Sequence, residues 1–276
     1  MALDLSPFFE RYENIVRQVD NVFSKIQEQY PEQVRCGRGC SDCCYALFDL
    51  TLVEALYVSH HFNQRFSGME RSAVLDRADE ADREIHRLKR RAFRASQDGR
   101  PTAEILEEMG KARVRCPLLG EDDLCVLYEH RPLTCRLYGV PLNINGAPHS
   151  CGRSGFEQGQ SYPTVYVEKL QDSLMNLSQE LATSIRSRFK ELGTVLVPPS
   201  MALLTEYDDE YLGITDQPTP EQSEQPAPEA SIPTMDQVAG KQAADACGSC
   251  DKDESACATC KDKSFSVVLG GPDSEE

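Results

Sequence analysis

The sequence predicts a mostly α-helical, irregular domain with cysteine-rich loops, followed by a disordered acidic tail. Three observations carry this expectation. Apolar residues recur at steps of three and four over long stretches, the alternation typical of strands is weak, and composition and charge change abruptly near residue 216.

The first helix is expected over the stripe Phe8, Tyr12, Ile15, Val19, Val22, Ile26 and Tyr30, whose spacing puts them on one face. A second should start at Thr51, because Thr51 and Glu54 fit a capping box ahead of Ala55, Leu56 and Val58. Ser67 and Glu70 repeat that signature before Leu75, Ala78, Ile85 and Leu88. Leu170, Leu174, Leu177, Leu181, Ile185, Phe189 and Leu192 mark a further long helix, which Gly193 is expected to end. These stripes read as core packing rather than as a cofactor box.

The chain divides into a folded body, residues 1–213, a Pro/Glu/Gln-rich linker, 214–246, and a tail, 247–276. From Asp216 onward 13 acidic and 4 basic residues supply −9 of the net charge of −16. The linker "DQPTPEQSEQPAPEASIPTMDQ" has almost nothing to bury, which is the composition of a disordered segment. The tail repeats "ACGSC" and "ACATC" ten residues apart, carrying Cys247, Cys250, Cys257 and Cys260.

Charge and hydropathy exclude several function classes. An acidic chain is a poor match for nucleic acid, whose phosphates need a basic surface. No run of about 18 apolar residues occurs, so no membrane partner is expected. Charged residues at Asp4, Glu10, Arg11 and Glu13 do not suit a secretory signal, and the expected location is cytoplasmic, where clustered cysteines more often bind metal or do redox chemistry than pair as disulfides. A glycine-rich nucleotide loop is absent.

The body carries eight cysteines in two groups. "CGRGCSDCC" holds Cys36, Cys40, Cys43 and Cys44; "CPLLGEDDLCVLYEHRPLTCRLYG" holds Cys116, Cys125 and Cys135, and Cys151 follows in "HSCGRSG". Gly37, Gly39, Pro117, Gly120, Pro132 and Gly152 surround them, letting the backbone turn tightly enough for sulfurs to converge. Buried packing cysteines scatter along apolar faces instead of collecting in polar, glycine-rich loops. Disulfide frameworks suit small secreted domains. Thiol catalysis needs one activated cysteine, not eight. Metal ligation remains, since zinc and iron–sulfur centres each take about four thiolates.

If the chain turns helical near Cys40, then Cys40 and either Cys43 or Cys44 share a face, whereas Cys43 and Cys44 stand about 100° apart and do not serve one ion equally. One ligates while the other packs, or they face different metals. The preferred donor set takes Cys36, Cys40 and Cys43 or Cys44, completed by Cys116, Cys125 or Cys135. The tail offers a possible second site at Cys247, Cys250, Cys257 and Cys260, although the six-residue spacer "DKDESA" is short for a zinc ribbon.

These motifs resemble a bacterial cysteine-cluster family described as zinc- or iron-chelating proteins. The resemblance spans roughly residues 35–151 and rests on Cys36-x3-Cys40-x2-Cys43-Cys44, then Cys116-Pro117, Cys125, Tyr128, Arg131-Pro132 and Cys135-Arg136 in order. Glu54 occupies the early-glutamate place of the helix after the first cluster. What the resemblance implies is chelation of zinc or iron, as single ions or as a [4Fe-4S] cluster; it transfers a property rather than a reaction. The tail lies outside it.

The spacing C-x3-C-x2-C also matches radical S-adenosylmethionine enzymes, but their alternating strands and helices are not matched here. Flagellin lysine methylases resemble this chain in carrying a similar cysteine region, so an iron–sulfur enzyme, a protein methyltransferase among others, stands as an alternative; a metal-delivery or adaptor protein using the tail is another. Whether any reaction is catalysed is left open by the residues. His60, His61 and His86 fall within expected helices, as solvated or core-edge residues. His130 and His149 lie nearer the cysteines and are candidate fourth ligands or supporting donors. Four thiolates around Zn²⁺ carry a net charge near −2, so Arg131 and Arg136 are candidates to offset it, the competing role being surface ion pairs with Glu129 or Asp123.

Overall fold

A computed structural model describes residues 3–37, 39–144, 146–157 and 159–214. The tail cysteines and all of the expected linker except Ile214 lie outside the described residues.

Eight α-helices make up most of the described residues: α1 (Ser6–Gln29), α2 (Leu52–Arg65), α3 (Gly68–Gln97), α4 (Thr102–Lys111), α5 (Leu133–Leu137), α6 (Val167–Ser184), α7 (Pro199–Leu204) and α8 (Asp209–Leu212). The strands are two or three residues long: β1 (Leu50–Thr51), β2 (Leu142–Ile144), β3 (Ala147–His149), β4 (Val165–Tyr166) and β5 (Leu196–Val197). β1 pairs antiparallel with β5, and β2 lies between antiparallel β3 and parallel β4. The mostly helical class expected from the sequence is the class observed. Among the described residues no helix is long and apolar enough to cross a membrane.

Helix α2 is central because every residue of its first two turns, from Leu52 to Ser59, is buried. Its Leu52, Val53, Leu56 and Tyr57 face a core shared with α1, α5 and α6, while Ala55, Val58 and Phe62 face a second core with α3 and α7. Burying each such large side chain contributes about 1.5–3 kcal/mol, so packing rather than helix propensity holds α2 in place. The capping box is present: Thr51 N–H donates to Glu54 Oε2 at 3.2 Å.

Three details depart from expectation. Phe9 and Val16 of α1 are buried where Phe8 and Ile15 are only partly so, a small rotation of the stripe. Ser67 occupies the N-cap of α3, but its hydroxyl makes no capping bond. Helix α6 stops at Ser184, well before Gly193, because Arg186 takes a left-handed conformation (φ 53°) and turns the chain. Gly193 instead packs against α6, where an added Cβ would lie 2.6 Å from Gln179 Cα.

Candidate metal centre

The first motif leaves α1 through a turn in which Cys40 N–H donates to the Gly37 carbonyl at 3.0 Å, with Gly39 at a φ of 87° that favours glycine. The chain then forms a short 3-10 turn, Asp42–Tyr45, rather than an α-helix. With about three residues per turn, neighbouring side chains leave the backbone roughly 120° apart, yet the thiols of Cys43 and Cys44 stay within hydrogen-bonding reach of each other.

The second motif is stitched to the first through the backbone. Cys116 N–H donates to the Cys44 carbonyl at 2.6 Å, and Val114 N–H to that of Tyr45 at 3.1 Å. The chain reverses between Leu119 and Cys125, with Gly120 N–H on the Leu124 carbonyl at 2.8 Å. The turn is close there: a Cβ at Gly120 would lie 3.1 Å from the Leu124 carbonyl oxygen, a tight contact that the carbonyl would have to relieve. Cys135 sits on α5, which Pro132 opens and whose Leu133 N–H donates to Glu54 Oε1 at 3.3 Å. Glu54 is buried, which raises its carboxyl above the usual range, while N–H groups of Thr51 and Leu133 act in the opposite sense.

Cys36, Cys40, Cys43, Cys44, Cys116, Cys125 and Cys135 together line one cavity of about 100 Å³, walled also by Phe23, Phe48, Leu118, Tyr128 and Arg131. Cys151 borders a smaller adjoining cavity with Cys36, Cys40, Cys43, Tyr138 and Gly139. Its loop is tied to the first motif by Asp42: Cys151 Sγ donates to Asp42 Oδ2 at 3.4 Å, and Asp42 also pairs with Arg113 at 2.7 Å. All eight thiols are partly exposed and none is in a disulfide. Among the described residues, no three Cys, His, Asp or Glu side chains are already drawn together as a metal's donor set.

The thiols perturb one another strongly. Cys43 is held well below the usual thiol range, first by hydrogen bonds from Cys135 and Cys44 and then by the charge of Arg131. Cys135 and Cys44 are pushed up in turn, first because they share hydrogen bonds with Cys43 and then by burial. Burial raises Cys36 to about 11 and Cys116 to about 12, and it raises Cys125 and Cys151 as well. Cys116 keeps some open surface toward the cavity, yet the protein crowded around its sulfur disfavours the thiolate.

The two arginines have different surroundings. The Arg131 guanidinium carbon lies 3.9 Å from the Tyr128 ring centroid, and its charge favours the thiolates of Cys43 and Cys125. Arg136 is buried and committed to Asp20 on α1 at 2.7 Å and to the Arg131 carbonyl at 3.1 Å. Neither forms the alternative ion pair with Asp123 or the Glu129 carboxylate; Glu129 offers Arg136 its carbonyl instead. His130 borders neither cysteine cavity: its Nδ1 lies 3.0 Å from Tyr57 Oη and its ring stacks on His61 at 3.5 Å. His149 is exposed on β3 and likewise borders neither cavity.

Two residues with a part in this geometry carry no evident sequence signal. Gly139 has a φ of 110° and packs on Cys36, where an added Cβ would meet the Cys36 Cβ at 2.7 Å. Asp42 lies between cysteines in the motif, but only the fold brings Cys151, Arg113 and Arg153 to it.

No curated protein and no solved structure matches the chain significantly. A family model matches residues 35–152, the stretch that supplies all eight of these cysteines. That family model is described as "CxxCxxCC: Putative zinc- or iron-chelating domain", and it is what these residues are similar to.

Proposed function

We propose that the body of this protein chelates zinc or iron through thiolates drawn from both cysteine motifs. The observation that carries this reading is the single cavity of about 100 Å³ lined by seven cysteines from two stretches that α2, α3 and α4 separate in sequence. Thiolates are soft ligands that suit zinc and iron–sulfur centres. Arg131 would offset part of their negative charge. Candidate ligands are Cys36, Cys40, Cys43, Cys44, Cys116, Cys125, Cys135 and Cys151, with Arg131 as a supporting group; Arg136 borders the same cavity but its charge is taken by Asp20. Anaerobic purification followed by metal analysis and an absorption spectrum tests the reading. Stoichiometric zinc or iron is expected; a chain that arrives metal-free and takes up neither metal on reconstitution overturns it.

A second reading is favoured by the size of the same cavity. A single tetrahedral ion is surrounded closely by its four sulfurs, at about 2.3 Å each for zinc, whereas a [4Fe-4S] cluster requires room of its own. Walls such as Phe23, Phe48 and Leu118 would shield a cluster from water. A brown protein containing acid-labile sulfide is the expected result for this reading, and a colourless zinc protein excludes it.

A further inference from the structure

Resting on that metal-binding reading, we propose that the eight body cysteines build two four-thiolate centres rather than one. Cys44, Cys116, Cys125 and Cys135 line the larger cavity alone, whereas Cys36, Cys40 and Cys43 lie on the wall it shares with the smaller one, and Cys151 lines the smaller alone. A zinc ion or an iron–sulfur cluster takes about four thiolates, so a single centre would leave four of these sulfurs without a partner. The division follows two cavities rather than two stretches of sequence. It splits the first motif between Cys43, which lines both cavities, and Cys44, which lines only the larger. It also explains why the eight sulfurs do not converge on one point.

Each centre has its own fittings. The larger gains Cys116 through the hydrogen bond to the Cys44 carbonyl, and Cys135 through α5. The smaller gains Cys151 through Asp42, and Gly139 leaves the space that Cys36 occupies. Cations also divide between them: Arg131 and Arg136 border the larger cavity, Arg35 and Arg153 the smaller. Two four-thiolate zinc sites would each carry a charge near −2, and Arg131 beside the larger and Arg35 beside the smaller offset part of it, Arg136 and Arg153 being paired with Asp20 and Asp42. Cys43 stands on the shared wall, within hydrogen-bonding reach of Cys135 and Cys44.

The test is an anaerobic Co²⁺ titration of the reduced full-length chain carrying C247S, C250S, C257S and C260S, so that only the eight body thiols count. Two equivalents are expected, with thiolate-to-cobalt absorption and all eight thiols protected from alkylation by mass spectrometry. Adding C151S should leave one equivalent and expose Cys36, Cys40 and Cys43 to alkylation. Adding C125S should instead expose Cys44, Cys116 and Cys135. Saturation of the parent at one equivalent, or a C151S chain that binds as much as its parent, overturns the proposal. If C125S fails to fold, the parent stoichiometry and C151S still decide. Uptake of no cobalt at all removes both this proposal and the metal-binding reading. One equivalent that is lost in C125S but kept in C151S removes only the second centre.

Discussion

Glu54 Oε1 accepts the backbone N–H of Leu133 at 3.3 Å while Oε2 of the same carboxyl accepts that of Thr51 at 3.2 Å. One buried side chain on α2 thus holds its own helix start and the start of α5, which carries Cys135. Substituting Glu54→Ala leaves two buried N–H groups without acceptors, a loss of about 1–3 kcal/mol for each unsatisfied group. The thermal midpoint should fall sharply and metal content should fall with it, whereas Glu54→Gln, which keeps one acceptor oxygen, should lie between wild type and E54A. Equal melting temperatures for wild type and E54A would show that the tie is not structural.

Arg131 and Arg136 should separate in their effects. Arg131→Gln removes charge beside Cys43 and Cys125, so metal affinity should drop roughly 10- to 100-fold, the usual loss for a group supporting a metal site. Chelator competition reads that change, and the melting temperature of the metal-free chain should hardly move. Arg136→Gln removes the tie between α5 and Asp20, and the expected effect is destabilisation of about 1–3 kcal/mol. The loss stays at that level because Asp20 is 43% exposed and can hydrate once its partner is gone. An R136Q chain with native stability but weakened metal binding would reverse the assignment.

Stability should depend on pH in a definite direction. Burial holds Cys36 at about 11 and Cys116 at about 12, above an ordinary thiol near 8.5. The folded, metal-free chain therefore retains these protons longer than the unfolded chain does. Their contribution is fully present below about pH 8.5 and is lost as pH rises toward 11 and 12. Metal-free protein should melt at falling temperatures across that window, and metal-loaded protein, whose thiols are already ionised, should not show this loss. At neutral pH, metal binding must also displace these protons, so affinity should weaken as pH falls, with proton release detectable in weakly buffered solution. A pH-independent affinity between 6 and 8 would argue against thiol ligands.

The tail invites a separate measurement, motivated by Cys247, Cys250, Cys257 and Cys260 in paired CxxC units. Truncation before Asp216 should leave a folded body with its own metal and remove one equivalent from the total. A truncated chain holding as much metal as the full chain, together with a tail peptide that takes up neither Zn²⁺ nor Co²⁺, would eliminate the tail site.

The sequence by itself determined the helical class, the start of α2 and the grouping of cysteines in glycine- and proline-framed loops. These follow from local physics: helical periodicity, a capping box closed within three residues and turns that need particular backbone angles. Only the tertiary structure decided which sulfurs share a cavity, because the backbone joint between Cys44 and Cys116 spans three intervening helices. The same holds for Arg136, whose partner Asp20 is 116 positions away, and for His130, turned toward Tyr57 and His61 instead of the cysteines. The end of α6 at Ser184 was hidden for another reason. The residue that takes the left-handed turn is an arginine, and the glycine that looked like a stop sits where close packing against Gln179 admits no side chain.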